Sequence, residues 1–311
     1  MTARPNNNNF LFSQIHIEVA RNSTDDFNLF HDKNHWPQIV GNPFAGPIVL
    51  GFQLECLIEY QLRLFREKAQ ENAIIDREQL QFSNYQFTFA NVVKPEQAVA
   101  VDIRKSVLST ADTPTLSNRV AIKTDAGVVL LGYKKETQTP LCLADSDLSW
   151  LPDLKLLDDR SFFSDQHYFI KRKYMNVGNA KNFLSGSLAE QSDYFDELND
   201  KFIFPETFPM ALVSCALLER AFKQGHDFKK DPMVYTSHKF SVDRALNARL
   251  KSNDQLNILV APPQIMTSGQ GLGASGAAQQ LYHCYGLLTD NRVLFRAEIS
   301  LAALTEILKR A

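Results

Sequence analysis

The chain has little of what marks a nucleic-acid-binding, membrane-spanning or disulfide-stapled protein. Its 33 Lys and Arg are offset by 35 Asp and Glu, giving a net charge of −2 over 311 residues. Without a basic excess, it lacks the electrostatic footprint that nucleic acid or an anionic membrane surface selects. Its most apolar runs, such as 210–218, fall far short of the ~20 residues a spanning helix requires. The first residues show no basic-then-apolar pattern of a secretory leader. The 4 cysteines, at positions 56, 142, 215 and 284, form no C-x-x-C pair and show no metal-ligand spacing. Cys56 and Cys215 fall within apolar helical patterns, where a thiol serves as a small core residue. The expectation is a cytoplasmic, reduced protein with no metal, no cofactor, no nucleic-acid partner and no membrane span. The basic clusters Lys171-Arg172-Lys173 and Lys229-Lys230 read as solvated faces.

What is present is patterned. At 44% hydrophobic, the chain can bury one large core or two ordinary ones. Ile15, Ile17 and Val19 alternate with polar neighbours, which predicts a strand over 13–20. Leu50, Leu54, Leu57, Ile58, Leu62 and Phe65 recur at helical offsets and predict a helix over about 48–70. Strand alternation follows at Tyr85-Phe87-Phe89, Val99-Val101-Ile103 and Val120-Ile122. Asp125-Ala126-Gly127 reads as the turn of a hairpin into 128–133. Prolines and acidic residues break the periodicity between about 136 and 162, although Trp150 and several leucines suggest that this stretch packs. The order then repeats: a strand over 168–174, a helix over 208–222 that is apolar nearly all round, and strands at 234–242, 256–260, 281–287 and 293–301.

A helix buried on every side, beside strands that are apolar on one face, is satisfied by a sheet that curls around that helix. The fold expected is therefore α+β, a tandem or double hotdog in which each half wraps a curved antiparallel sheet around one long buried helix. Its divisions are a hotdog over 1–138, a linker over 139–163 and a second hotdog over 164–311.

The segment before the first long helix carries the densest chemistry. Asp26, Asn28 and His31 are crowded into six residues, followed by Gly46-Pro47-Ile48-Val49-Leu50-Gly51 at the helix entrance. An acid/base pair beside backbone N–H donors is one reading. Turn and cap hydrogen bonds from Asp26 and Asn28, with His31 packed nearby, is the other. Asp32 and His35 form a second compact pair. Glu55 and Glu59 lie one turn apart on the helix and either line a cavity or face solvent. His238 and His283 lie in strands, facing the core or a neighbour. Gly271-Leu272-Gly273-Ala274-Ser275-Gly276 matches the dinucleotide-binding pattern, but strand alternation follows it instead of a strand–helix–strand unit, so it reads as an inter-strand loop.

Residues 13–135 resemble the MaoC-like (R)-specific enoyl-CoA hydratases. That family's small-Gly-Asp-x-Asn-Pro-aliphatic-His motif is matched by Thr24-Asp25-Asp26-Phe27-Asn28-Leu29-Phe30-His31 with the same Asp-to-His spacing. Gly46 to Gly51 is similar to its Gly-x-Pro-Ile-x-His-Gly, and Phe87 to Pro95 to the strand and turn that follow. Asp25 stands where the motif has Gly, Leu29 where it has Pro, and Leu50 where it has His. The second half has no such motif; Phe204-Pro205-Glu206-Thr207-Phe208-Pro209, with Glu219 downstream, only faintly echoes acyl-carrier-protein dehydratases.

The resemblance implies hydration or dehydration of a 2-enoyl/3-hydroxyacyl thioester carried by CoA or acyl carrier protein, in fatty-acid or polyketide-type metabolism. Asp26 and His31 would hold a water and move its protons, Asn28 would order the loop, and the Gly51 N–H would bind the thioester oxygen. The half without the motif would shape the acyl tunnel. A non-catalytic acyl-thioester-binding protein and an acyl thioesterase are the alternatives. Two fused hotdogs already mimic a dimer, so a monomeric pseudo-dimer suffices, and a homodimer is also compatible.

Overall fold

The computed structural model describes residues 9–266 and 278–309. The glycine-rich segment 271–276 lies outside them. The helices are α1 (Gln14–Thr24), α2 (Gly51–Lys68), α3 (Asn72–Arg77), α4 (Val177–Gly186), α5 (Thr207–Lys223), α6 (Arg244–Asn247) and α7 (Leu304–Leu308). The strands of the first half are β1 (Asn9–Leu11), β2 (Phe82–Phe89), β3 (Ala98–Ile103), β4 (Val107–Ser109), β5 (Thr115–Thr124) and β6 (Gly127–Thr137). Those of the second are β7 (Ser161–Phe163), β8 (Tyr168–Tyr174), β9 (Phe195–Asp196), β10 (Lys201–Phe202), β11 (Met233–Asp243), β12 (Gln255–Val260), β13 (Gln264–Met266), β14 (Gln279–Leu287) and β15 (Val293–Ala303).

The two halves repeat one topology. From the seam outward the first runs β2-β6-β5-β3-β1 and the second β11-β15-β14-β12-β8-β7. In each, the strand that follows the long helix lies at the seam, and the remaining strands return toward the strand that precedes the helices. At the seam β2 pairs antiparallel with β11, Phe82 opposite Asp243 through Thr88 opposite Ser237, giving one continuous 13-stranded sheet. Helices α2 and α5 supply the core. α5 is buried at every position from Thr207 to Leu218, and α2 at every position from Phe52 to Tyr60. This is the α+β double hotdog expected from the apolar patterning.

The strand expected over 13–20 is a helix, α1. Of the alternating residues only Ile17 is fully buried, while Ile15 is 60% exposed. The buried face is Ile17, Ala20, Ser23 and Thr24, at helical spacing. That face meets α4, where a Cβ on Gly186 would lie 2.8 Å from the Ala20 Cβ. Tertiary packing overrides the local alternation. The strand of this half is β1, just upstream. In the connection between the halves, Leu154 is buried and Leu148, Leu151 and Leu157 pack with it on Ile170, Leu259 and Leu287, outside the second half's sheet.

Candidate active site

The site is built where α1 stops. Asp25 adopts φ 54°, the left-handed conformation that a glycine takes most readily, and its N–H reaches Asn22 O at 3.4 Å. The Asp26 N–H then closes on Arg21 O at 3.0 Å, completing a Schellman end. Asp is among the few residues that tolerate this conformation. Its side chain pairs with Lys173 of β8 at 2.5 Å. Asp25 thus holds the left-handed turn without a glycine.

Two successive side-chain turns carry the chain onward. Asp26 Oδ1 accepts the Asn28 N–H at 2.8 Å, and Asn28 Oδ1 accepts the Phe30 N–H at 3.1 Å, capping the 3-10 turn Leu29–His31. Leu29 occupies the first position of that turn, where proline is favoured because no N–H partner is needed. His31, 4% exposed, lies with Nδ1 2.9 Å from Ile48 O. A carbonyl only accepts, so Nδ1 carries the hydrogen and Nε2 holds the lone pair of the neutral ring. Burial lowers the His31 pKa, and the Asp26 charge opposes that shift.

The entrance to α2 closes the arrangement. Leu50 caps the helix from a buried position, its N–H accepted by Gln53 Oε1 at 3.0 Å, while Gln53 Nε2 donates to His16 O and Gly186 O. Gly51 is the first residue of α2, where an N–H has no partner inside the helix. A Cβ there would meet the Phe89 ring at 2.9 Å. Asn28, His31 and Gly51 line one cavity of about 360 Å³ with Phe30, Phe89, Met233 and Tyr235. Asp26 is not among its lining residues. It is buried behind them, and its Oδ2 accepts from Ser214 Oγ of α5 at 2.7 Å.

Ser214 and Tyr235 were not singled out from the sequence. Ser214 is the only polar side chain within the apolar run 210–218, and a hydroxyl on an all-round buried helix needs a partner. That signal was readable. Tyr235 depends on a bulge in β11: Tyr235 lies opposite Leu301 and Ser237 opposite Ser300, which leaves Thr236 as the extra residue. The bulge turns Tyr235 and His238 to the same face. The Tyr235 hydroxyl is 3.0 Å from Ser214 Oγ.

The other candidates fall elsewhere. Asp32 and His35 pair at 3.0 Å, but Asp32 also binds Arg21 at 2.7 Å and His35 is half-exposed. Glu55 is fully buried and lies 2.6 Å from His238 Nδ1. The His238 ring stacks on Phe52 with centroids 4.6 Å apart. Burial raises the Glu55 pKa, and His238 opposes the shift. Glu59 accepts the Glu206 and Thr207 N–H groups, each at 2.9 Å, and the Thr207 hydroxyl at 2.5 Å. It thereby caps the start of α5. Among the described residues, no group of three or more His, Cys, Asp or Glu is arranged to hold a metal ion, and no helix is long and apolar enough to cross a membrane.

Two halves of one topology, each with a long buried helix and joined across one continuous sheet, make a double hotdog. No family model and no curated relative matches the sequence. Solved structures match the fold. A MaoC-like dehydratase aligns with TM-score 0.56 and 9% identity over 95% of this chain and 96% of its own. A putative MaoC domain protein dehydratase from Chloroflexus aurantiacus J-10-fl aligns with TM-score 0.59 and 8% identity, covering 95% and 93%. RV0216 of Mycobacterium tuberculosis, a conserved hypothetical protein with a double hotdog fold, gives 0.54 and 12%, covering 95% and 94%. The chain thus has the double hotdog fold found in MaoC-like dehydratases.

Proposed function

We propose that the chain catalyses the reversible hydration of a 2-enoyl thioester to the 3-hydroxyacyl thioester, with CoA or acyl carrier protein as the carrier. The observation that carries this reading is the convergence of His31, Asn28 and the Gly51 end of α2 on one cavity, with the Asp26 charge acting on His31. In the hydration direction His31 Nε2 takes a proton from water as the hydroxide bonds to the β-carbon. The imidazolium, stabilised by Asp26, returns that proton to the α-carbon, so one water is added and no other proton is needed. The Gly51 N–H, at the positive end of α2, donates to the thioester oxygen as enolate charge develops. Asn28 holds the loop that sets His31. Residues 1–138 supply this chemistry, 139–163 connect, and 164–311 buttress the site and bound the acyl cavity. The fused halves act as a monomeric pseudo-dimer.

Mixing the protein with short and medium 2-enoyl-CoAs, and then with the corresponding acyl-carrier-protein thioesters, tests the reading through loss of the conjugated-thioester absorbance. Loss in the wild type, reduced about 10²–10⁴-fold in Asp26→Ala, is the expected result. Full activity in Asp26→Ala would remove Asp26 from the mechanism. One observation favours a second reading, thioester binding without turnover: both Asp26 oxygens are already hydrogen-bonded inside the protein. Tight binding with unchanged absorbance on either carrier would select it.

A further inference from the structure

The hydrogen-bond chain from Asp26 fixes the direction of each donor in it. As a carboxylate, Asp26 only accepts, so the single Ser214 hydrogen is spent on Asp26 Oδ2 at 2.7 Å. Ser214 Oγ can then meet Tyr235 only as an acceptor, and the 3.0 Å contact takes the single phenolic hydrogen. Burial, reinforced by the Asp26 charge, pushes the Tyr235 phenol up, so that hydrogen stays in place. Tyr235 lines the main cavity together with His31 and Gly51. It also lines a smaller cavity of about 70 Å³ bounded by Leu217 and Leu218 of α5. What the Tyr235 oxygen has left to offer a ligand is acceptor capacity alone.

We infer that Tyr235 is a specificity-determining residue of the cavity. Its oxygen, held as a pure acceptor by Ser214 and Asp26, receives the hydroxyl of a 3-hydroxyacyl group, or the water that adds to the enoyl group. The inference rests on the thioester reading above and deepens it by giving the motif-free half a direct part in substrate selection. The same cavity without this chain would bind saturated and hydroxylated acyl groups about equally. With it, the hydroxylated group gains one buried hydrogen bond, worth about tenfold in affinity.

The test uses two thioethers that cannot react, S-(3-hydroxyhexyl)-CoA and S-hexyl-CoA, with affinities measured by calorimetry on the full chain. The wild type is expected to prefer the hydroxylated compound about tenfold. Tyr235→Phe keeps the ring and loses that preference, so that the two compounds bind about equally. Ser214→Ala leaves the phenol hydrogen free to rotate and weakens the preference by less. Equal affinities in the wild type, or a preference that survives in Tyr235→Phe, would overturn the inference while the thioester reading stands. If neither thioether binds the wild type, whether carried by CoA or by the phosphopantetheine arm of an acyl carrier protein, the thioester reading itself falls, and the inference with it.

Discussion

Helix α2 begins at an open cavity, whereas α5, its counterpart in the second half, begins against a carboxylate. Both helix starts present unpaired N–H groups and a partial positive charge. At α5 these are answered from inside the molecule, because Glu59 accepts two backbone N–H groups and the Thr207 hydroxyl. The connection leading to α5 is filled by rings: Phe195, Phe202 and Phe204 meet edge to face with centroids 5.3 to 5.5 Å apart, and Phe204 stacks on Phe208. The connection leading to α2 instead carries Asp26, Asn28 and His31 and leaves room beside Gly51. One topology can therefore leave a cavity at the start of the long helix or plug it, and the connection before each helix decides which. The plug is part of a larger polar cluster. Burial raises the Glu59 pKa and the neighbouring Glu206 charge adds to it, with Lys134 opposing. Glu136 is opposed by burial, yet Lys134 and Arg66 hold it down to about 2.

Removing the plug at α5 carries the largest expected effect. Glu59→Ala leaves three buried donors without their acceptor and is expected to cost about 3–5 kcal/mol, read from urea unfolding. Glu59→Gln, which keeps one acceptor oxygen, is expected to cost less. At the open end, Gly51→Ala pushes a Cβ into the Phe89 ring. It should cost about 1–3 kcal/mol of stability and weaken binding in the cavity, measured by unfolding and acyl-thioester affinity together. The pH profile sharpens the contrast further. His31 must be neutral to accept a proton, and burial lowers its pKa from 6.5, with Asp26 opposing. Turnover should therefore hold level through neutral pH and fall only as pH drops through a value below 6.5; an acid limb above 6.5 would deny His31 this role. The smallest effect is expected of Asp25→Gly. The change relieves the left-handed backbone but takes from the buried Lys173 its exposed carboxylate partner, for a net cost of about 1 kcal/mol in a thermal melt.

The halves differ in how readable they were. Helix α2 and the strands with clean alternation were legible because their burial follows from neighbours close in sequence. So was the Asp26–His31 spacing. Helix α1 was not, because the face that decides it is set by contact with Gly186, far along the chain. For Glu55 and Glu59 the sequence showed two carboxylates one turn apart and no more. Their partners, His238 and Thr207, lie 183 and 148 residues away and meet them only after both halves fold. Tyr235 was hidden for a different reason: one extra residue in β11 reverses which face its side chain takes, and no local pattern announces the bulge.

The most direct measurement places His31→Ala and Glu59→Gln side by side with the wild type in the 2-enoyl thioester absorbance assay, after confirming that all three are folded. If chemistry belongs to the α2 end alone, His31→Ala loses turnover by about 10²-fold or more while Glu59→Gln keeps it within a few-fold. Turnover that survives in His31→Ala but disappears in folded Glu59→Gln would contradict the account and move the active site to the start of α5.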